Sequence, residues 1–246
     1  MESYRFFYLG IGNEVYFSET NFVGTSIRRY YDEIMIEDSQ KRYHNFVCKW
    51  LQRMDIGVDF DIKKSKKDES YIIQIVQENG IKTDLCHMGS GSIHFTALCL
   101  YIMLFIKQNT DNEGKGSHYT PILLVEEPEQ NLHPMLQSRL AEFFLDVSDF
   151  YSETYEEGSL GWKIGLKMIV ETHSEYIIRK TQVLAKEFCK NGGEISDFAF
   201  RTYYFPSKND RKTQPYDMKY CKDGRFYERF GFGFFDESSE LAMQIF

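Results

Sequence analysis

The sequence predicts an α/β protein with a parallel sheet at its core and a helical and β-hairpin portion before it. Three observations predict it. Between residues 88 and 205, short apolar runs alternate with longer segments of helical spacing, the rhythm of β-α units. Two of those runs, "PILLV" at 121–125 and "LKMIV" at 166–170, are almost continuously apolar, as buried parallel strands are. Each ends in polar residues just before a helical segment, which is the ligand edge of an open sheet.

The elements follow in order. Residues 1–20 are aromatic and punctuated by glycine, with "YRFFYL" their strand-like run. "SIRRYYDEIMIEDSQKRYHNFVCKWLQRM" mixes charged and apolar residues at helical spacing and predicts one or two amphipathic helices. Val58 to Ile62 and Tyr71 to Val76 read as strands joined by the polar "KKSKKDES", and "ENG" turns into a third short strand. The run Lys63 to Lys67 reads as a solvated hairpin tip in preference to a DNA contact. "HMGSGSIHFTALCLYIMLFIKQN" is a glycine turn followed by a strongly apolar helix, with Phe95, Leu98, Leu100 and Phe105 expected in the core. "TDNEGKGSHYT" is a polar loop. After "PILLV", "NLHPMLQSRLAEFFLDVSDFY" predicts a helix with Pro134 near its first turn. A second loop, "SETYEEGSLGW", leads to the second buried strand. "SEYIIRKTQVLAKEFCKNG" is another helix, stopped by Gly192 and Gly193. "FAFRTYYF" predicts a further strand of the layer. The tail from Pro206 is hairpin-like with a short closing helix, and Phe230 to Phe235 is expected to pack it against the sheet. The expected division is 1–86, 87–205 and 206–246.

Bulk composition bounds the function. The 246 residues suffice for one large domain or two small ones, and 42% apolar with 16% aromatic residues supports a real core. A net charge of −8 weakens any claim that this chain alone wraps nucleic acid. Cys48, Cys86, Cys99, Cys189 and Cys221 are scattered and odd in number, with no paired metal spacing. That pattern fits reduced thiols in a cytosolic compartment. "MESYRFFYLG" has no basic segment followed by an apolar one, so no signal peptide is read there. The longest apolar run, Ala97 to Ile106, is too short to span a bilayer and ends in Lys107, so no membrane partner is expected.

The stretch "PILLVEEPEQNLHP" carries the chemistry. Glu126, Glu127 and Glu129 stand at the end of a buried strand, where adjacent carboxylates need compensation. They suit metal coordination with proton handling, one acid holding Mg²⁺ and the next orienting or deprotonating a water. Equally, they could cap the following helix, whose N-terminus is partly positive. "LKMIVETHSEYII" repeats the design, ending in Glu171, Thr172, His173 and Ser174. A histidine there can hydrogen-bond a terminal phosphate oxygen, which favours the first reading. "MGSGS" adds a third part. Gly89 and Gly91 let backbone approach closely, Ser90 and Ser92 offer hydroxyls, and the helix start attracts an anion. Alone it is a common helix cap.

Taken in order, these three segments resemble the C-terminal half of an ABC-type or SMC-like ATPase. The combination of two glutamates with "EPEQNLHP" is closer to the AAA-type, ABC-like ATPases of the overcoming-lysogenization-defect group. The resemblance implies a partial P-loop NTPase fold that uses ATP and Mg²⁺. It implies "MGSGS" as the signature, with Ser90, Gly91, Gly89 and Ser92 reaching a nucleotide across a dimer. It implies Glu126 as the Mg²⁺-side acid, Glu127 as the water-activating base, "NLHP" as the D-loop and His173 as the switch histidine. "DGRFYERFGFGFFDESSELAMQ" resembles a short C-terminal module of one branch of these ATPases, and "YLG" and Val23–Gly24 resemble that branch's middle region.

One part has no counterpart. A P-loop, G-x-x-x-x-G-K-[ST], occurs nowhere in the sequence, and "NEGKGSHYT" lacks the first glycine. Each charge-assisted hydrogen bond to phosphate contributes roughly 1.5–3 kcal/mol. A loop of such donors is therefore decisive for affinity, and the expectation is a half-site. Three functions follow. The chain is an ATPase portion completed by a P-loop-bearing polypeptide or N-terminal part, as a homo- or hetero-dimer, in DNA-linked work such as phage defence. Alternatively it is a degenerate ATPase-like interaction protein. A third class is a metal-dependent nuclease or phosphatase using Glu126, Glu127, Glu129 and His133, although one acidic cluster lacks the dispersed ligands of a two-metal site.

Overall fold

The computed structural model describes residues 28–36, 41–64, 71–111, 120–156, 165–206, 215–231, 234–235 and 237–245. The strand expected at "YRFFYL", most of the hairpin tip and most of the two polar loops lie outside the described residues. The described chain forms two compact units, one ending at His173 and one beginning at Ser174.

In the first unit, helical turns from Arg28 widen into a π-helical stretch at Tyr31–Met35, before helix α1, Arg42–Arg53. Tyr43, Phe46, Val47, Trp50 and Leu51 recur at helical spacing, and all are buried. They meet the rings of Phe143 and Phe150: Trp50 stands edge-on to Phe143 at 5.1 Å, and Phe46 lies 4.8 Å from Phe150. Offset and edge-on rings of this kind add about 0.5–1.5 kcal/mol per pair beyond the area they bury. On the outer side Arg53 lies over the Trp50 ring at 4.3 Å and pairs with Glu142, and Lys49 reaches Asp146 at 2.5 Å. α1 stops at Asp55, in the left-handed region at φ 56, and Ile56 N–H returns to Leu51 O.

A three-stranded antiparallel sheet follows: β1 (Asp59–Lys64), β2 (Tyr71–Val76) and β3 (Lys82–Asp84). Phe60, Ile62, Ile73 and Ile75 alternate inward and are buried, which fixes the register Phe60↔Ile75 and Ile62↔Ile73. Gly57 is required where α1 turns into β1, since a Cβ there would stand 2.3 Å from Ile75 Cγ2. Among the described residues this sheet shares no ladder with the parallel strands.

Helix α2, Ser90–Asp111, is apolar nearly all round, and Phe95, Leu98, Leu100 and Phe105 are buried as expected. Its Ser90–Thr110 stretch is long and apolar enough to cross a membrane by composition, yet most of it is buried inside the protein, as a core helix is. Helix α3, Pro134–Glu156, starts at its proline, where no amide partner is needed, and packs Leu140, Ala141, Phe143, Phe144 and Val147 inward. Between these helices in sequence runs β4, Ile122–Glu126, and after α3 comes β5, Lys167–Glu171. The two pair in parallel from Ile122↔Lys167 to Glu126↔Glu171, so both strands end in glutamate at the same edge. The parallel core is therefore present, as two strands among the described residues.

The second unit begins with Ser174, whose hydroxyl accepts the Ile177 amide and caps helix α4, Glu175–Lys190. Gly192, at φ 93, ends the helix as the sequence predicts. The third strand expected in the parallel layer is instead β6, Thr202–Tyr204, paired antiparallel with β7, Tyr216–Met218. Phe198 and Phe200, read as part of that strand, lie outside it. They and Phe188 cluster as rings, with Phe198 5.8 Å from Phe188 and 5.7 Å from Phe200. The tail folds back through a bridge between Tyr220 and Phe226, and Phe230, Phe234 and Phe235 gather on Tyr204 of β6 before helix α5, Glu237–Met243.

Candidate functional site

The polar rim at the ends of β4 and β5 is built by local chemistry. After Glu126 the chain turns sharply at Glu127, which takes φ 43, a left-handed conformation uncommon outside glycine. Pro128 disfavours the right-handed helical conformation for the residue before it, and the Glu127 amide is tied to Glu171 O at 2.9 Å. Gln130 N–H closes the turn on Glu127 O at 3.1 Å, and its side-chain amide donates to Glu127 Oε2 at 3.1 Å. Backbone held this way stores about 1–3 kcal/mol. The turn lifts the Glu127 carboxylate off the strand axis toward His173.

There it meets an imidazole. His173 Nε2 stands 3.5 Å from Glu127 Oε1 and 3.9 Å from Glu171 Oε1, and the ring is 73% exposed. Its backbone, by contrast, is held: the His173 amide donates to Glu129 Oε1 at 2.7 Å. Glu129 is 8% exposed, and its other oxygen, Oε2, is buried with no hydrogen-bond partner among the described residues. An acid of the β4 turn thus fixes the chain direction at the end of β5 while the imidazole stays open to solvent.

Glu126 is the last residue of β4, half-buried and opposite Glu171 in the register. The acids of this rim do not form a preassembled metal cage. Among the described residues, the group of three His, Cys or acid donors within 4.8 Å of one another is His44, Cys48 and Asp59, elsewhere in the unit. Carboxylate oxygens on a solvated edge suit a hard cation that keeps most of its own waters and takes one or two protein ligands. The donor chemistry of Glu126 and Glu127 fits Mg²⁺.

The glycine–serine turn lies against the segment that follows the acids. Gly91 is buried, and a Cβ on it would stand 2.4 Å from Asn131 O and 3.1 Å from Leu132 Cδ2. Asn131, itself left-handed at φ 61, brings its side-chain amide to 3.2 Å from His94 Nδ1 on the next turn of α2. Burial holds the His94 imidazole below its ordinary value. Gly89, by contrast, has nothing within 4 Å of where its Cβ would be, and Ser90 is exposed. Ser92 sits inside the first turn, its amide bonded to Gly89 O at 3.0 Å and its carbonyl accepting the Thr96 hydroxyl at 2.7 Å.

Two features escaped the sequence reading. The sequence offers Glu129 as an acid of a metal cluster, whereas it holds the His173 backbone across 44 residues of sequence. The His44–Cys48–Asp59 group has no paired-cysteine spacing to mark it; its signal is a histidine followed by a cysteine one turn later.

Parallel strands that end in acids and a histidine at one edge make the ligand-binding edge of an open α/β fold. The family model of the AAA ATPase domain matches residues 22–178, and the chain belongs to that family. It is similar to a solved structure described for ATP-driven dimerization and DNA-stimulated activation of SMC ATPases, at 10% identity and TM-score 0.43, over 91% of this chain and 96% of that one. It is also similar to an Smc head domain from Pyrococcus furiosus, with an extended coiled coil and bound to the C-terminal domain of ScpA, at 14% identity and TM-score 0.34. That likeness covers 57% of this chain and 30% of the other. No curated protein matches.

Proposed function

We propose that this AAA ATPase domain supplies the acidic, switch and signature parts of an ATP site that a P-loop-bearing segment or polypeptide completes. The observation that carries the reading is the Glu127–His173 pair, 3.5 Å apart at the ends of adjacent parallel strands, with Glu129 holding the histidine's backbone. Glu127 is the general base that orients and deprotonates the attacking water. His173 donates to the terminal phosphate. Glu126 holds Mg²⁺, which when bound neutralises phosphate charge. Ser90 and Gly91, with Gly89 and Ser92 around them, make the anion contact of a second protomer, so the working unit is a homo- or hetero-dimer. The exposure of Ser90 and the open space at Gly89 support a contact made outward. The division read from the sequence puts the site in 87–205, between a helical and antiparallel β portion at 1–86 and a C-terminal module at 206–246. The setting is cytoplasmic and DNA-linked, with phage defence the role its "EPEQNLHP" motif favours.

Titration calorimetry tests the half-site. With Mg–ATP, the full chain alone is expected to bind at least about 100-fold more weakly than the chain mixed with its P-loop-bearing polypeptide, as loss of several charge-assisted hydrogen bonds requires. Tight binding by the chain alone would overturn the reading. Binding without hydrolysis in the completed assembly would instead favour the degenerate interaction protein.

A further inference from the structure

Far along the chain from the acidic rim, three side chains of different chemistry converge. His44 and Cys48 are one helical turn apart on α1, so they share a face. Asp59 opens β1 and is returned to that face by the left-handed turn at Asp55 and the close passage at Gly57. One imidazole nitrogen of His44, Cys48 Sγ and an Asp59 carboxylate oxygen all lie within 4.8 Å of one another. We propose that His44, Cys48 and Asp59 form a binding site for zinc or a zinc-like divalent cation, with the remaining coordination position open to water.

Four features support it. First, a thiolate, an imidazole and a carboxylate together are a borderline-soft donor set, which selects zinc and cobalt over magnesium or calcium. Second, the geometry is already near a coordination shell. Asp59 Oδ1 is 2.7 Å from His44 Nε2 and accepts the Cys48 thiol at 3.2 Å, so small rotations separate the three atoms to the spacing of tetrahedral ligands. Third, the ligands are held from behind. The His44 ring stacks on Phe60 with centroids 4.5 Å apart and planes 17° off parallel, and the Phe60 amide donates to Asp59 Oδ1 at 2.7 Å. Such supporting contacts orient metal ligands before the ion arrives. Fourth, the site is reachable, with His44 and Cys48 half-buried and Asp59 exposed. The thiol and the imidazole both address Asp59 and not each other, an arrangement suited to a shared ion and not to a cysteine nucleophile activated by histidine.

Cobalt(II) titration of the chelator-stripped full chain tests the site. About one equivalent is expected to bind, with a near-ultraviolet thiolate-to-cobalt charge-transfer band that added zinc abolishes. Cys48→Ser should remove the band, and His44→Ala should weaken binding by about 10-fold or more. Cys86→Ser, which alters an exposed thiol outside the group, should leave both unchanged. An absent band, a band that survives Cys48→Ser, or one lost in Cys86→Ser would overturn the site. If Cys48→Ser does not fold, X-ray absorption at the cobalt edge of the unaltered chain decides. A single sulfur neighbour upholds the proposal, and a shell of oxygen and nitrogen alone overturns it.

Discussion

Glu129 is a buried acid that acts at the rim through backbone, not through a charged partner. Its Oε1 takes the His173 amide, so the position of the imidazole follows from a side chain on the other strand's turn. Glu129→Ala leaves that part-buried amide without an acceptor, which costs about 1–3 kcal/mol. Thermal unfolding of the two chains should show the loss, while Glu129→Gln, which keeps a carbonyl oxygen in place, should recover most of it. In the completed assembly Glu129→Ala should lower the hydrolysis rate more than Mg–ATP affinity, since it disturbs His173 and not the phosphate-holding loop. Equal loss of both would contradict the positioning role. The sequence made Glu126, Glu127 and His173 legible because strand ends are read from local patterns. The Glu129–His173 hydrogen bond is not local: its 44-residue separation appears only when β4 and β5 pair in parallel.

At the scale of elements, periodicity made most of the fold legible, and partner choice made the rest illegible. β2 was recoverable as Tyr71–Val76 because Ile73 and Ile75 alternate with less buried residues, and α1 because five apolar residues share one face. Nothing in "FAFRTYYF" says that three of its residues pair antiparallel with Tyr216–Met218, because a strand's neighbour is chosen by tertiary contacts. What binds that hairpin to α4 is polar as well as aromatic. The Tyr220 hydroxyl donates to Thr181 Oγ1 and shares a hydrogen bond with Thr202 Oγ1, both 2.7 Å long and buried. Tyr220→Phe should destabilise the second unit by about 1–3 kcal/mol by orphaning buried hydroxyls. Burial raises the Tyr220 hydroxyl above its ordinary value, against the lowering effect of the two threonine hydrogen bonds. A group raised in the folded state favours folding fully below its unfolded value near 10, and that contribution is lost as pH climbs through the folded value. Melting curves above about pH 10 should therefore fall more steeply for the unaltered chain than for Tyr220→Phe.

For the molecule as a whole, the proposed function separates binding from hydrolysis. The chain presents Glu127 and His173 on an exposed rim, and it carries no P-loop sequence to hold the triphosphate. On the proposed function, phosphate affinity belongs to the completing segment and the rate of water attack to this chain. Glu127→Gln keeps the size and hydrogen-bonding reach of the side chain but cannot take a proton. In the completed assembly, Mg–ATP affinity should stay within a factor of about 3, whereas turnover should fall about 100-fold or more. In the proposed dimer the nucleotide bridges the phosphate-holding loop of one protomer and Ser90 and Gly91 of the other, so slowed hydrolysis should prolong it. Light scattering on eluting protein should find Glu127→Gln dimeric with Mg–ATP under conditions where the unaltered assembly has returned to monomers. A fall in affinity as large as the fall in turnover would mean that Glu127 holds the nucleotide and is not the base. A dimer that ignores ATP would mean that the glycine–serine turn makes no contact across protomers.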